Sequence, residues 1–179
     1  MTVSGGFLQG RFKLHHIHFH WKYTDTLKYC TEHIIGDKKT HLEAHFVHFN
    51  TKYSSLDSAL ENRDGVAILV FLFKRSKTAQ ISSLDPIVRK FSKIVEKNTK
   101  ITFEKGFPII SLIPISKSQY FTYYGCKQLS ADKTNVITWI VFYELLKITT
   151  NDVSFPFWVL FTYIFLTTPV ESVQTIAQL

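Results

Sequence analysis

Cysteine, proline and glycine are all scarce in this chain: two, five and seven in 179 residues. Two cysteines, Cys30 and Cys126, exclude a disulfide scaffold. Few prolines and glycines exclude collagen-like and linker-rich architectures, and no repeat or low-complexity tract divides the chain. Residues 1–6, MTVSGG, hold no charged segment followed by an apolar run, so no signal peptide is expected. The longest apolar stretch near the C-terminus, VSFPFWVLFTYIFL at 153–166, falls short of the roughly 20 residues a spanning helix needs. Pro156 and the aromatic and β-branched content of that stretch favour a strand, so a membrane anchor is not expected.

What is abundant is apolar and basic. Hydrophobic residues make up 45% and aromatics 15%, with sixteen Phe, enough for a sizeable core. The formal net charge is +7 and the sequence pI about 9.4. No nucleic-acid motif accompanies that charge, and no nucleic-acid partner is expected. The eight histidines all fall within residues 15–48.

Strand signals dominate. Residues 11–21 are extended in character, 43–50 alternate, and VAILVFLF at 66–73 is an apolar run of buried-strand length. VITWIVFY at 136–143 is a further strand, and 107–115, with two prolines, reads as extended and at an edge. One helix is predicted: Asp85 caps it, Pro86 opens it, and Ile87, Val88, Phe91, Ile94 and Val95 recur at helical spacing. Its other face, Arg89, Lys90, Lys93 and Lys97, reads as solvated.

The chemistry lies in HHIHFHW at 15–21. On a strand His16, His18 and His20 share one face, while Ile17, Phe19 and Trp21 take the other. An H-x-H pair sets two imidazoles where one metal ion can bridge them, with the apolar face locking the strand to the core. In EAHFVH at 43–48 the same alternation puts Glu43, His45 and Val47 together, so His45 can supply a third ligand. Three neutral imidazoles with an open position suit a catalytic zinc, whereas structural sites are closed and usually rich in Cys. Glu43 can accept the other ring N–H of a ligand and fix its tautomer.

These residues sit in four blocks that resemble the alpha-class carbonic anhydrases. The blocks are GGFLQGRFKLHHIHFHW, TEHIIGDKKTHLEAHFVHFNTKY, DGVAILVFLFK and YFTYYGC followed by VITWIVF. The family's counterparts include GGPL…FHFHWG and SEH…ELHLVHWNTKY. The resemblance implies a mainly β (α+β) domain on a large twisted, mostly antiparallel sheet with a few peripheral helices. It implies Zn2+ held by His18, His20 and His45, with Glu43 behind the third ligand and His16 where the family's glutamine orients the first. Val47, Ile68 and Trp139 match the apolar wall where carbon dioxide rests, and Glu32 matches the carboxylate that orients a gatekeeping threonine. Tyr123 matches a buried tyrosine of the surrounding network, and His33 and His48 match histidines of structural role. The implied activity is zinc-hydroxide attack on carbon dioxide, giving bicarbonate and a proton.

Three departures from the family qualify that reading. Beside its relatives the chain begins late, without the stretch that carries the usual shuttle histidine; His15, His16 and His41 are the substitutes at hand, and the shuttle stays unassigned. The loop that supplies the gatekeeping hydroxyl is replaced by CKQLSADK at 126–133, where Ser130 is the available donor. After about residue 154 the resemblance ends, which divides the chain into a partial domain at 1–154 and a divergent apolar segment and tail at 155–179. The alternative these departures open is a non-catalytic, zinc-binding or interaction relative. Cys30 and Cys126 do not match the positions of the secreted members' disulfide, so both read as free thiols and a cytoplasmic location is favoured. Oligomeric state is left open.

Overall fold

The structure, a computed structural model, describes residues 1–21, 32–36, 40–77, 84, 109–114, 116–130, 133–149 and 162–165. Its elements are β1 (Thr2–Gly5), β2 (Leu8–Trp21), β3 (Leu42–Asn50), α1 (Leu56–Leu60), β4 (Val66–Arg75), a 3-10 turn (Ile109–Leu112), β5 (Tyr120–Ser130), β6 (Lys133–Ile148) and β7 (Thr162–Phe165). One sheet runs β1-β2-β3-β4-β6-β5, with β7 added on the outer side of β2. The β4–β6 pairing is parallel and the others are antiparallel. The protein is therefore mainly β on a mostly antiparallel sheet. Among the described residues no helix is long and apolar enough to cross a membrane.

Both faces of the central strands are buried, which is why 66–73 reads as a continuous apolar run. One face carries Phe46 of β3, Leu69, Phe71 and Phe73 of β4, and Ile140 and Phe142 of β6. The Phe46 and Phe71 rings meet edge-on, centroids 4.8 Å apart, and Phe71 stacks on Phe142 at 4.9 Å. The other face carries Val47, Ile68, Val70, Leu72, Ile137, Trp139 and Val141.

The two faces are kept in phase along β2 by a bulge. Pairing with β3 is regular from Phe12 to Leu14 and again from His16 to Trp21, with a register shift between Leu14 and His16. His15 is the extra residue. Before it, the even-numbered Phe12 and Leu14 face the phenylalanine-rich core; after it, the odd-numbered Ile17 and Phe19 do. A one-residue insertion reverses the parity of a strand. The change of parity is written in the sequence, although it is easily missed when only 16–21 is read.

α1 begins at Ser55, whose hydroxyl accepts from the Ser58 N–H at 3.2 Å while the Ser55 N–H donates to the Ser58 hydroxyl at 3.1 Å. Its Ala59 is buried against the turn before β4, where a Cβ on Gly65 would lie 1.8 Å from the Ala59 carbonyl oxygen. Only glycine allows that approach.

One sequence expectation changes here. Within 107–115, residues Ile109–Leu112 form a 3-10 turn instead of an extended edge, because each proline restrains only its own and the preceding residue. Local pattern marks α1 and β5 only weakly: α1 is a single turn, and β5 lacks clean alternation. The predicted helix at 85–97, Cys30 and the basic residues from Arg89 to Lys97 lie outside the described residues.

Deleting His15 removes the bulge and forces either Phe12 and Leu14 or Ile17 and Phe19 off the core. At about 1.5–3 kcal/mol per large side chain exposed, the deletion should cost at least about 3 kcal/mol in urea unfolding. His15→Ala keeps the bulge and should cost less than about 1 kcal/mol in the same measurement.

Candidate metal centre

The β2–β3 register sets His18 directly opposite His45, His16 opposite Val47 and His20 opposite Glu43. Alternation puts all six side chains on one face. The His18, His20 and His45 rings form a triangle, with centroids 4.9 Å (His18–His20), 4.9 Å (His18–His45) and 4.5 Å (His20–His45) apart. One ligand atom of each lies within 4.8 Å of the others. The His18 Nε2 and His45 Nδ1 atoms are 3.2 Å apart. Two Zn–N bonds of 2.0–2.1 Å meeting at the tetrahedral angle span about 3.3–3.4 Å, so this donor set fits a zinc ion.

On His45 and His20 the remaining ring nitrogen faces a carboxylate. Glu43 and His45 are both fully buried, and His45 Nε2 lies 2.5 Å from Glu43 Oε1. An ionised carboxylate can only accept, so Nε2 carries the proton and Nδ1 turns its lone pair to the cluster. His20 Nδ1 lies 3.2 Å from the half-exposed Glu32 carboxylate, which by the same reasoning leaves Nε2 as the ligand atom. The resemblance gives Glu32 a role toward a gatekeeping hydroxyl; in the structure its carboxylate lies against a candidate ligand.

Glu43 also joins β3 to a distant segment. It accepts the His33 backbone N–H at 3.0 Å and the His33 ring Nδ1–H, leaving His33 Nε2 to accept from the Tyr123 hydroxyl at 2.7 Å. Burial alone would raise the Glu43 carboxyl. Hydrogen bonds from His33 and His45, and charge on those rings, overcome burial and hold it well below the usual carboxylate range. Tyr123 is pushed up by burial first, then by the negative Glu43 and Glu32. His33, Glu43 and His45 form a second compact group of possible donors. The hydrogen bonds above join these groups through the His45 nitrogen turned away from the cluster, so they form a hydrogen-bonded chain leading away from it.

The apolar wall is a row across the sheet. Val47 pairs with Ile68, Ile68 with Trp139, and Trp139 with Tyr123. All three wall residues are buried in one cluster, and the Trp139 ring lies edge-on to His45, centroids 5.2 Å apart. Tyr123 stacks flat on Trp139, 6.1 Å away and 6° from parallel. Gly125 makes room for that stack: a Cβ there would lie 2.7 Å from Trp139 Nε1 and 2.8 Å from the Tyr123 ring. The local signal for Gly125 in the sequence is a glycine inside an aromatic stretch.

Other expected residues are placed differently. His16 stacks on His18, centroids 5.3 Å apart and 24° from parallel, and its Nδ1 lies 2.8 Å from His15 Nδ1. His41 Nδ1 accepts the Arg75 backbone N–H at 3.3 Å, at the start of β3. Ser130 ends β5, where its backbone pairs with Lys133. From Tyr123 that is seven residues, about 23 Å along a strand at about 3.3 Å each, so the strand does not bring Ser130 to the histidines. Cys126 is an exposed free thiol.

A family model described as eukaryotic-type carbonic anhydrase matches residues 1–162. This chain belongs to that family. Carbonic anhydrase 1 of Monodelphis domestica is 33% identical over 144 residues, covering 80% of this chain and 52% of the relative. Carbonic anhydrase 6 of Mus musculus is 35% identical over 108 residues, covering 60% of this chain and 34% of the relative. The chain thus spans about half the length of the first carbonic anhydrase and a third of the second.

His48 provides a pH signature separate from the cluster. It is fully buried and donates from Nδ1 to the Phe46 carbonyl at 2.8 Å. Burial lowers its pKa from 6.5 to about 4, against a partial offset from that hydrogen bond. Between those values the unfolded chain binds the proton and the folded chain does not, so stability falls as pH drops through the window. Acid titration of the unfolding free energy should show a loss of about 3 kcal/mol between pH 6.5 and pH 4. His48→Asn should flatten that slope.

Proposed function

We propose that this chain binds one Zn2+ through His18 Nε2, His20 Nε2 and His45 Nδ1 and catalyses reversible hydration of carbon dioxide to bicarbonate and a proton. The observation that carries the reading is the three-imidazole triangle beside a buried apolar wall. Zinc in such a site supplies Lewis acidity and a water acidified toward neutral pH, a property for which carbonic anhydrases are the type case.

The chain's own residues supply the rest. Val47, Ile68 and Trp139 offer carbon dioxide, which is apolar and uncharged, a dry surface one row along the strands from His18 and His45. Glu43, held by His33 and in turn by Tyr123, fixes the His45 tautomer; Glu32 does so for His20. Bicarbonate, being charged and strongly hydrated, gains less from the apolar wall, which favours its departure.

A second reading, a zinc-binding relative without turnover, draws on β5. That strand runs on to a hairpin with β6 at Ser130 and Lys133, in the stretch where a loop carrying a hydroxyl donor was expected.

Zinc content and carbon dioxide hydration of the purified chain decide between the two. The proposal expects one zinc per chain and hydration above background, both lost in His18→Ala. Zinc without hydration would establish the non-catalytic reading, and no zinc would remove both. Glu43→Gln should lower zinc affinity about 10–100-fold, measured by competition with a chromogenic chelator, because an amide cannot accept from both His33 and His45 with the same strength.

A further inference from the structure

β1 and β7 lie end to end along the outer side of β2. β1 covers it from Leu8 to Lys13, and the Leu14 N–H adds a bond to the Met1 carbonyl at 2.9 Å. β7 takes over with His16 opposite Phe165, Ile17 opposite Ile164, His18 opposite Tyr163 and Phe19 opposite Thr162. The break between the two coincides with the His15 bulge. Among the described residues, β3 and β7 are the strands that pair with the stretch of β2 that carries His16 and His18. An edge strand exposes a row of unsatisfied backbone groups and is held by one ladder instead of two, whereas a metal site needs its ligands held to within about 0.5 Å. The family match ends at residue 162, the first residue of β7.

We propose that Thr162–Phe165 is a positioning strand for the metal centre: its pairing with His16–Phe19 converts the ligand-bearing stretch of β2 from an edge strand into an interior one. The role rests on the zinc reading, whereas the pairing can be tested without metal. Successive amides of a strand point to opposite sides. In the metal-free chain, all four amides of His16–Phe19 should therefore exchange slowly with deuterium, two protected by β3 and two by β7. Fast exchange of alternate amides would overturn the proposal.

Proline scanning tests the positioning role in the full chain. Of Tyr163→Pro and Ile164→Pro, one removes an N–H directed at β2 and the other removes one directed away. The first should weaken zinc binding at least tenfold and speed exchange at His16–Phe19, whereas its neighbour and the alanine variants at both positions should change affinity by less than threefold. Zinc affinity unchanged in both proline variants would overturn the role. If a proline variant fails to fold, the exchange pattern of the unaltered chain still decides the pairing. An unaltered chain that shows four slow amides but takes up no zinc overturns the metal reading, and with it the positioning role, while leaving the strand pairing in place.

Discussion

The antiparallel ladder between β2 and β3 sets what every other feature of the site can do. Its register places His18 against His45 and His20 against Glu43, and the bulge at His15 determines which face those residues take. The apolar partners Ile17 and Phe19 on the opposite face tie that choice to core burial. Rotating the histidines out of the site would thus require rotating buried aromatic and aliphatic side chains into water. The hydrophobic effect in this way enforces a polar geometry that imidazoles, which hydrate readily, would not adopt on their own.

Glu43 is the most costly group in the arrangement. A fully buried carboxylate is tolerated only when its desolvation is offset by good hydrogen bonds, and here donors come from His45 on its own strand and from the backbone and ring of His33. The chain of contacts continues to Tyr123 on β5 and, by stacking, to Trp139 on β6. The carboxylate that orients a candidate ligand therefore also links it to the residues flanking the apolar wall. Tilting one member would disturb both the donor geometry and the surface where an apolar substrate would rest.

Family membership and the site point the same way. The long hairpin of β5 and β6 occupies the place of an expected loop, and β7 pairs along the ligand strand where the family match ends. The three imidazoles, Glu43 and the apolar wall lie on neighbouring strands of one sheet, with Glu32 reaching His20 from outside it.

Much of this was legible in the residues themselves. Period-two alternation identifies His16, His18 and His20 as one face and Glu43, His45 and Val47 as another, and the apolar run at 66–73 identifies a strand buried on both sides. Family blocks added Ile68, Trp139, Glu32 and Tyr123. None of these signals says that Glu32 meets His20, that His16 stacks on His18 and meets His15, or that Ser130 lies far along a hairpin. Those relations join residues far apart in the chain, or depend on side-chain rotamers that local pattern leaves open. Which residue types share a strand face follows from residue order alone, since alternation is a property of the extended backbone. Which faces meet is set by the assembled sheet, because strand register, the bulge and the pairing partner follow from burial summed over all its strands.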